Sequence, residues 1–125
     1  MVRGIGVDII EIARVQRAMN QSGIGFLEKV FTPAEIAYCT SKHNSAQHFA
    51  ARFAAKEAVS KALSTGWAGS FRWKDVEISN DVSGQPHVVA HGPLEEQLAS
   101  ASIFVSISHS ETHVVAMVVI EGTAP

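Results

Sequence analysis

Asp8 is the only acid in the largely apolar run Val2 to Ile10, whose other charge is Arg3 near its start, and a carboxylate buried in such a run is costly unless it meets a cation or a metal ion. A plainer reading puts it at the strand end, capping the helix that follows. Glu57 shares a helix face with Ala50, Phe53, Ala54 and Lys61 rather than a stripe of solvated charge. Taken alone it would make an i, i+4 pair with Lys61, worth about a few tenths of a kcal/mol. Two carboxylates on apolar-flanked positions of different elements, with cations close by in sequence, instead suit a hard ion such as magnesium that also holds phosphate oxygens. Arg52, Lys56 and Lys61 lie within ten residues of one helix, enough cations for a polyphosphate and too few for a nucleic-acid track. Of the three, Lys56 reads as part of a solvated face.

Other chemistries find less support. His109 follows a strand in a Ser-rich turn, where an imidazole could donate to phosphate. His109 and His113 have the spacing of a helical zinc pair, but their flanks read as strands and no thiolates cluster nearby. Ser108 and His109, adjacent on a strand, point to opposite faces. Cys39 sits between Tyr38 and Thr40 with no activating base in view. There is no G-x-S-x-G elbow and no P-loop, and Gly4-Ile5-Gly6 lacks a third glycine.

The elements that must position these residues follow from periodicity. Val2 to Ile10 is strand-like, and from Glu11 the spacing of Ile12, Val15 and Met19 becomes helical, with a stop near Ser22-Gly23. Thr32-Pro33-Ala34-Glu35 reads as a helix start in which Thr32 caps, Pro33 takes the first position and Glu35 closes a capping box; the helix runs to about Cys39. Ser45 to Ser64, rich in alanine and free of Gly and Pro, is the longest helix, with Thr65-Gly66 as its stop. Val76 to Ser79 and His87 to Ala90 read as two short strands, Pro93 to Ser100 as a helix, and Ile103 to Ser108 with Val114 to Ile120 as a hairpin. The last strand is apolar on both faces, which in so short a chain asks a neighbouring subunit for cover.

Composition sets the outer limits. A chain of 125 residues with 46% hydrophobic residues is read as one domain spanning 1–125. Ten Lys+Arg against twelve Asp+Glu give a formal charge of -2, which excludes a strongly basic nucleic-acid binder. The single cysteine excludes an intramolecular disulfide framework and fits a reducing compartment. With no 18-residue apolar run and no signal-peptide core, the expectation is a soluble, cytoplasmic protein without membrane contact.

Several motifs in order give a far more specific signal than any one of them. Gly4-Ile5-Gly6-Val7-Asp8-Ile9-Ile10-Glu11-Ile12 with Arg14, Phe31-Thr32 with Glu35, and Arg52-Phe53-Ala54-Ala55-Lys56-Glu57-Ala58 with Lys61-Ala62 resemble the holo-acyl-carrier-protein synthase family. The resemblance continues through Thr65-Gly66, Asn80-Asp81 with Gly84 and Pro86, and Val105-Ser106-Ile107-Ser108-His109-Ser110, covering nearly the whole chain. It implies a small α+β fold of the 4′-phosphopantetheinyl transferase type: an antiparallel sheet packed with one long and several short helices, as a single pseudo-repeat unit. The reaction it implies moves the 4′-phosphopantetheine arm of coenzyme A to a serine of apo acyl carrier protein with magnesium, releasing adenosine 3′,5′-bisphosphate, in support of fatty acid biosynthesis.

By the same resemblance Asp8 and Glu57 are metal ligands, and Lys61 neutralises the transferred phosphate. Arg52 and His109 hold nucleotide phosphates, and Gly84-Gln85-Pro86 line the adenine side. Glu35 becomes a possible base through a metal-bound water, as plausible in its plainer role at the helix start. Gln85 stands where many relatives carry a lysine. Arg14 and Arg17, with no acid between Glu11 and Glu28, form a basic face that the resemblance assigns to docking acidic carrier proteins; Met19 is core by its spacing. Family members of this length form trimers with coenzyme A between subunits. The competing readings are a non-catalytic module that binds coenzyme A or a carrier protein, and a structural oligomer in which the strand carboxylate and helix cations simply pair.

Overall fold

The computed structural model describes residues 1–64 and 72–122. The expected helix stop at Thr65-Gly66, most of the loop from Trp67 to Trp73, and the terminal Thr123-Ala124-Pro125 lie outside the described residues. The described elements are β1 (Val2–Glu11), α1 (Ile12–Ser22), α2 (Ile24–Val30), α3 (Pro33–Thr40), α4 (Ser45–Ser64), a 3-10 turn (Trp73–Asp75), β2 (Val76–Asn80), β3 (Pro86–Ala90), α5 (Pro93–Gln97), β4 (Ala101–His109) and β5 (His113–Gly122). The α+β expectation holds, with boundaries within a few residues of those read from the pattern. The largest local difference is α2: Gly25 hid a short helix whose Phe26, Leu27 and Val30 all turn to the core.

β1, β5 and β4 form an antiparallel sheet with β5 in the centre, and β2 pairs with β3 in a separate hairpin. Alternation along the strands explains the packing. Gly4, Gly6, Asp8 and Ile10 of β1 and Val114, Ala116, Val118 and Ile120 of β5 face α4, where nearly all are buried. The opposite face carries Ile5, Val7, Ile9, Phe104 and Met117, each between 47% and 65% exposed.

The helix α4 runs through the middle of the molecule, and its alanines let neighbours come close. Gly6 sets the nearest approach: a Cβ there would lie 1.8 Å from the Ala58 carbonyl oxygen. Only glycine allows β1 to pass α4 at this distance, two residues before Asp8.

α3 opens as the pattern predicts. Thr32 accepts from the Glu35 amide while the Glu35 carboxylate accepts from the Thr32 amide, with Pro33 in the first turn. Asp8 does not cap α1; that position belongs to Glu11, whose side chain makes no capping bond. The helix read over Pro93 to Ser100 is shorter, ending at Gln97.

Candidate functional site

The close passage of β1 over α4 brings Asp8, Glu57 and Lys61 together. Lys61 Nζ donates to Asp8 Oδ1 at 2.9 Å and to the Val7 carbonyl at 3.1 Å, so Asp8 has the cation its apolar strand demanded. The expected Glu57–Lys61 pair is not formed. Among the described residues Glu57 has no hydrogen bond or ion pair, although it is only half-exposed. Burial, then the adjacent Asp8 charge, hold its carboxyl above the usual carboxylate range, while Lys61 and Arg14 pull the other way. Lys61 is thus committed to Asp8, and Glu57 is left without a bonded cation.

Two neighbouring carboxylates, one of them without a bonded partner, are the donor set that a hard divalent ion takes when phosphate oxygens and water complete its shell. No group of three or more His, Cys, Asp or Glu able to hold a metal occurs among the described residues, so any ion here depends on a ligand for its remaining contacts. The residues fit magnesium under that condition.

Arg52 lies five residues before Glu57 on α4, about 7.5 Å along the helix axis, and is 4% exposed. Its guanidinium donates to Asn80 Oδ1 at 2.5 Å and stacks 4.2 Å from the Tyr38 ring centroid. Among the described residues it has no carboxylate partner, and its Nε is buried without a hydrogen bond. A buried cation left uncompensated is a strong pull on an anion. Asn80 in turn donates to the Gly84 carbonyl at 2.8 Å, tying the helix cation to the β2–β3 turn. Gly84 holds φ +91°, and its neighbours are fixed by Asp81, which accepts from Ser83 Oγ and the Gln85 amide and contacts His87. These bonds, the one from Ser83 foremost, hold the Asp81 carboxyl well below its usual range. Pro86 then opens β3.

The remaining candidates divide. His109 ends β4 and lines a shallow cleft with Ile9, Ser108, Ser110, His113 and Val115. Arg14 is exposed on α1 and close enough to act on the Glu57 charge, whereas Arg17 pairs with Glu11 at 3.5 Å. Met19 packs on the core as its spacing predicts.

Two readings need correction. Lys56 is not on a solvated face: it is 0% exposed, pairs with Glu35 at 2.7 Å and donates to the carbonyls of Val30, Trp73 and Val76. Glu35 is not brought together with Asp8 and Glu57. Its Oε1 takes Lys56 and the Thr32 amide, its Oε2 takes the Ile78 amide, and it is 1% exposed. A carboxylate so enclosed has no free oxygen to meet a water, so the helix-start role is the one the structure gives it. Cys39 is equally inert: burial pushes its thiol up to about 11.

Sequence reasoning left three contributors without a role. Asn80 stood in a recognised motif but had no partner until the fold put it beside Arg52. Gly6 had none until α4 approached it. Tyr38 had no periodic signal at all, yet its ring carries Arg52.

Comparison with known proteins agrees with this geometry. Residues 4–118 match the model of the 4′-phosphopantetheinyl transferase superfamily. The chain is 48% identical over 124 residues to a holo-[acyl-carrier-protein] synthase of Geotalea daltonii, covering 97% of this chain and 99% of that one. A crystal structure of a holo-(acyl-carrier-protein) synthase from Bacillus anthracis in complex with CoA (3′,5′-ADP) superposes with a TM-score of 0.81 at 34% identity, over 98% and 99% of the two chains. The Helicobacter pylori holo-[acyl-carrier-protein] synthase in complex with coenzyme A gives 0.82 at 32% identity, over 94% and 99%.

Proposed function

The chain belongs to the 4′-phosphopantetheinyl transferase superfamily, and from that premise we infer that it transfers the 4′-phosphopantetheine group of coenzyme A to a serine of apo acyl carrier protein. The other product is adenosine 3′,5′-bisphosphate, and the holo carrier serves fatty acid biosynthesis in the cytoplasm. The observation that carries this reading is the unpaired Glu57 beside the Asp8–Lys61 pair, with the uncompensated Arg52 farther along the same helix. A structural pairing of strand carboxylate and helix cations would leave neither surplus, and a module that only bound its ligand would gain nothing from a destabilising second carboxylate.

We propose that Asp8 and Glu57 hold magnesium, which would draw charge from the pyrophosphate oxygens when bound. The chain's own groups do the positioning. Lys61 has used two of its three donors and keeps one for the phosphate that is transferred, where charge accumulates as the anhydride bond breaks. Arg52 and His109 hold the nucleotide phosphates, and Gly84 and Pro86 present the turn to the adenine. The reaction needs no protein nucleophile, since the carrier's serine supplies the attacking oxygen. Arg14, and less strongly the Glu11-paired Arg17, steer the acidic carrier.

The chain assembles as a homotrimer with sites between subunits. Its support is the outer sheet face of Ile5, Val7, Ile9, Phe104 and Met117, too apolar and too continuous across three strands for a solvated surface. Light scattering at micromolar concentration reads the mass directly, and a monomer would remove the shared site. The reaction itself is tested by intact mass of an apo carrier protein incubated with the chain, coenzyme A and magnesium, beside a chelator control. A gain of one phosphopantetheine arm, absent with chelator, is expected; no gain with several carriers would move the reading to a binding module.

A further inference from the structure

We propose that the phosphomonoester of coenzyme A draws a proton onto His48 as it binds, so that this chain's affinity for its substrate is set by pH through a residue outside the metal site. The proposal rests on the reading of coenzyme A as substrate.

Its basis is a cluster around Tyr38 of which the proposed reaction uses only Arg52. The Arg52 guanidinium lies 4.2 Å and the Lys42 ammonium 4.8 Å from the Tyr38 ring centroid, and the His48 ring meets it edge-on at 5.8 Å. His48 stands one turn before Arg52 on α4 and is half-buried, and among the described residues its ring has no hydrogen bond or ion pair. The charged and titratable groups acting on it are Arg52 on α4, Lys42 and His43 in the connection from α3, and His109 at the end of β4. None is a carboxylate. Burial, then Arg52 and the other cations, push the imidazole below its ordinary value, so it is neutral at pH 7.

A dianion on Arg52 opposes the cationic part of this shift and outweighs the part due to burial. It cancels the surrounding positive charge and offers an acceptor to an imidazolium N–H, which favours the protonated ring. The anion concerned is the phosphomonoester: His48 precedes Glu57 by nine residues, about 13 Å along the helix, too far to share the pyrophosphate held near Asp8. Linkage makes the effect reciprocal. Affinity rises as pH falls from the bound-state value of His48 toward its free value, by about tenfold for each unit separating them.

Titration calorimetry of coenzyme A into the full chain at pH 7, in two phosphate-free buffers of different ionisation enthalpy, counts the protons taken up. Wild type is expected to take up measurably more protons than His48→Gln, with the difference absent for dephospho-coenzyme A. Equal uptake by wild type and variant, or a difference that persists with dephospho-coenzyme A, would overturn the proposal. Titration of the His48 ring by NMR, with and without coenzyme A, reads the same event without a mutation; its pKa is expected to rise by at least about one unit, and an unchanged value sinks the idea. Failure of wild type to bind coenzyme A at all would instead remove the substrate reading.

Discussion

Lys56 and Glu57 are consecutive residues of one helix, and they enter two charge clusters with opposite outcomes. Lys56 points inward and meets Glu35 with every donor used, on three carbonyls and a carboxylate that itself accepts two amides. Glu57, about 100° around the helix, meets Asp8 and a lysine already taken. The inner cluster is neutral and closed; the outer one is short of a cation and open. A closed network specifies packing, because removing either partner strands a buried charge. An open one works against the fold and is useful only when a ligand completes it, the usual relation between stability and function at a site.

Lys56→Met tests the closed side and carries the largest effect, a loss of about 3–5 kcal/mol in unfolding free energy by denaturant titration, because Glu35 and three carbonyls lose their partner. A loss below about 1 kcal/mol would mean that the pair is no more than a surface contact. Glu57→Gln tests the open side: turnover should fall by about a hundredfold or more, yet the ligand-free protein should melt no lower than wild type at pH 7. The sign follows from the raised Glu57 pKa. Its contribution to stability is full below the unfolded carboxylate range and is lost as pH rises through the folded value, so at pH 7 the charge is a liability. A clear drop in melting temperature at pH 7 would place Glu57 among the structural charges.

Gly6→Ala tests the passage of β1 over α4 that builds the open cluster, since its Cβ must push the Ala58 turn of α4 away. A cost of about 1–3 kcal/mol in stability is expected, with a larger relative loss of magnesium affinity as Glu57 moves off Asp8; parallel losses would deny Gly6 a role in the site. At the proposed magnesium site protons would compete for Glu57, so magnesium affinity is expected to weaken toward acid at a pH above the ordinary glutamate range. Arg14→Glu is the mildest change, raising the apparent KM for carrier protein more than that for coenzyme A, with the difference shrinking in salt. Equal rises would defeat the docking assignment.

The same contrast explains what the sequence disclosed. Asp8, Glu57 and Lys61 were legible because a charge in an apolar run is an anomaly at the level of pattern, and the capping box of α3 because its residues are three apart. Lys56 was misread for the converse reason: three of its four partners, the carbonyls of Val30, Trp73 and Val76, are backbone atoms that no residue type advertises. Glu35 carried two compatible roles until its second oxygen was seen on the Ile78 amide, 43 residues away. The helix α2 was lost to Gly25, whose local cost is offset by packing of its neighbours on the core.

Local periodicity and caps determined nearly every element and its order, since both depend on residues within a turn or two of each other. The motif series also determined the family. Tertiary structure alone decided which of the neighbouring charges close on one another. It gave Lys61 to Asp8, Lys56 to Glu35 and Asn80 to Arg52, and left Glu57 unmatched. The reason is physical: an ion pair is chosen by distances between elements, and for Asp8, Lys61 and Glu57 those distances hang on how closely one glycine lets a strand pass a helix.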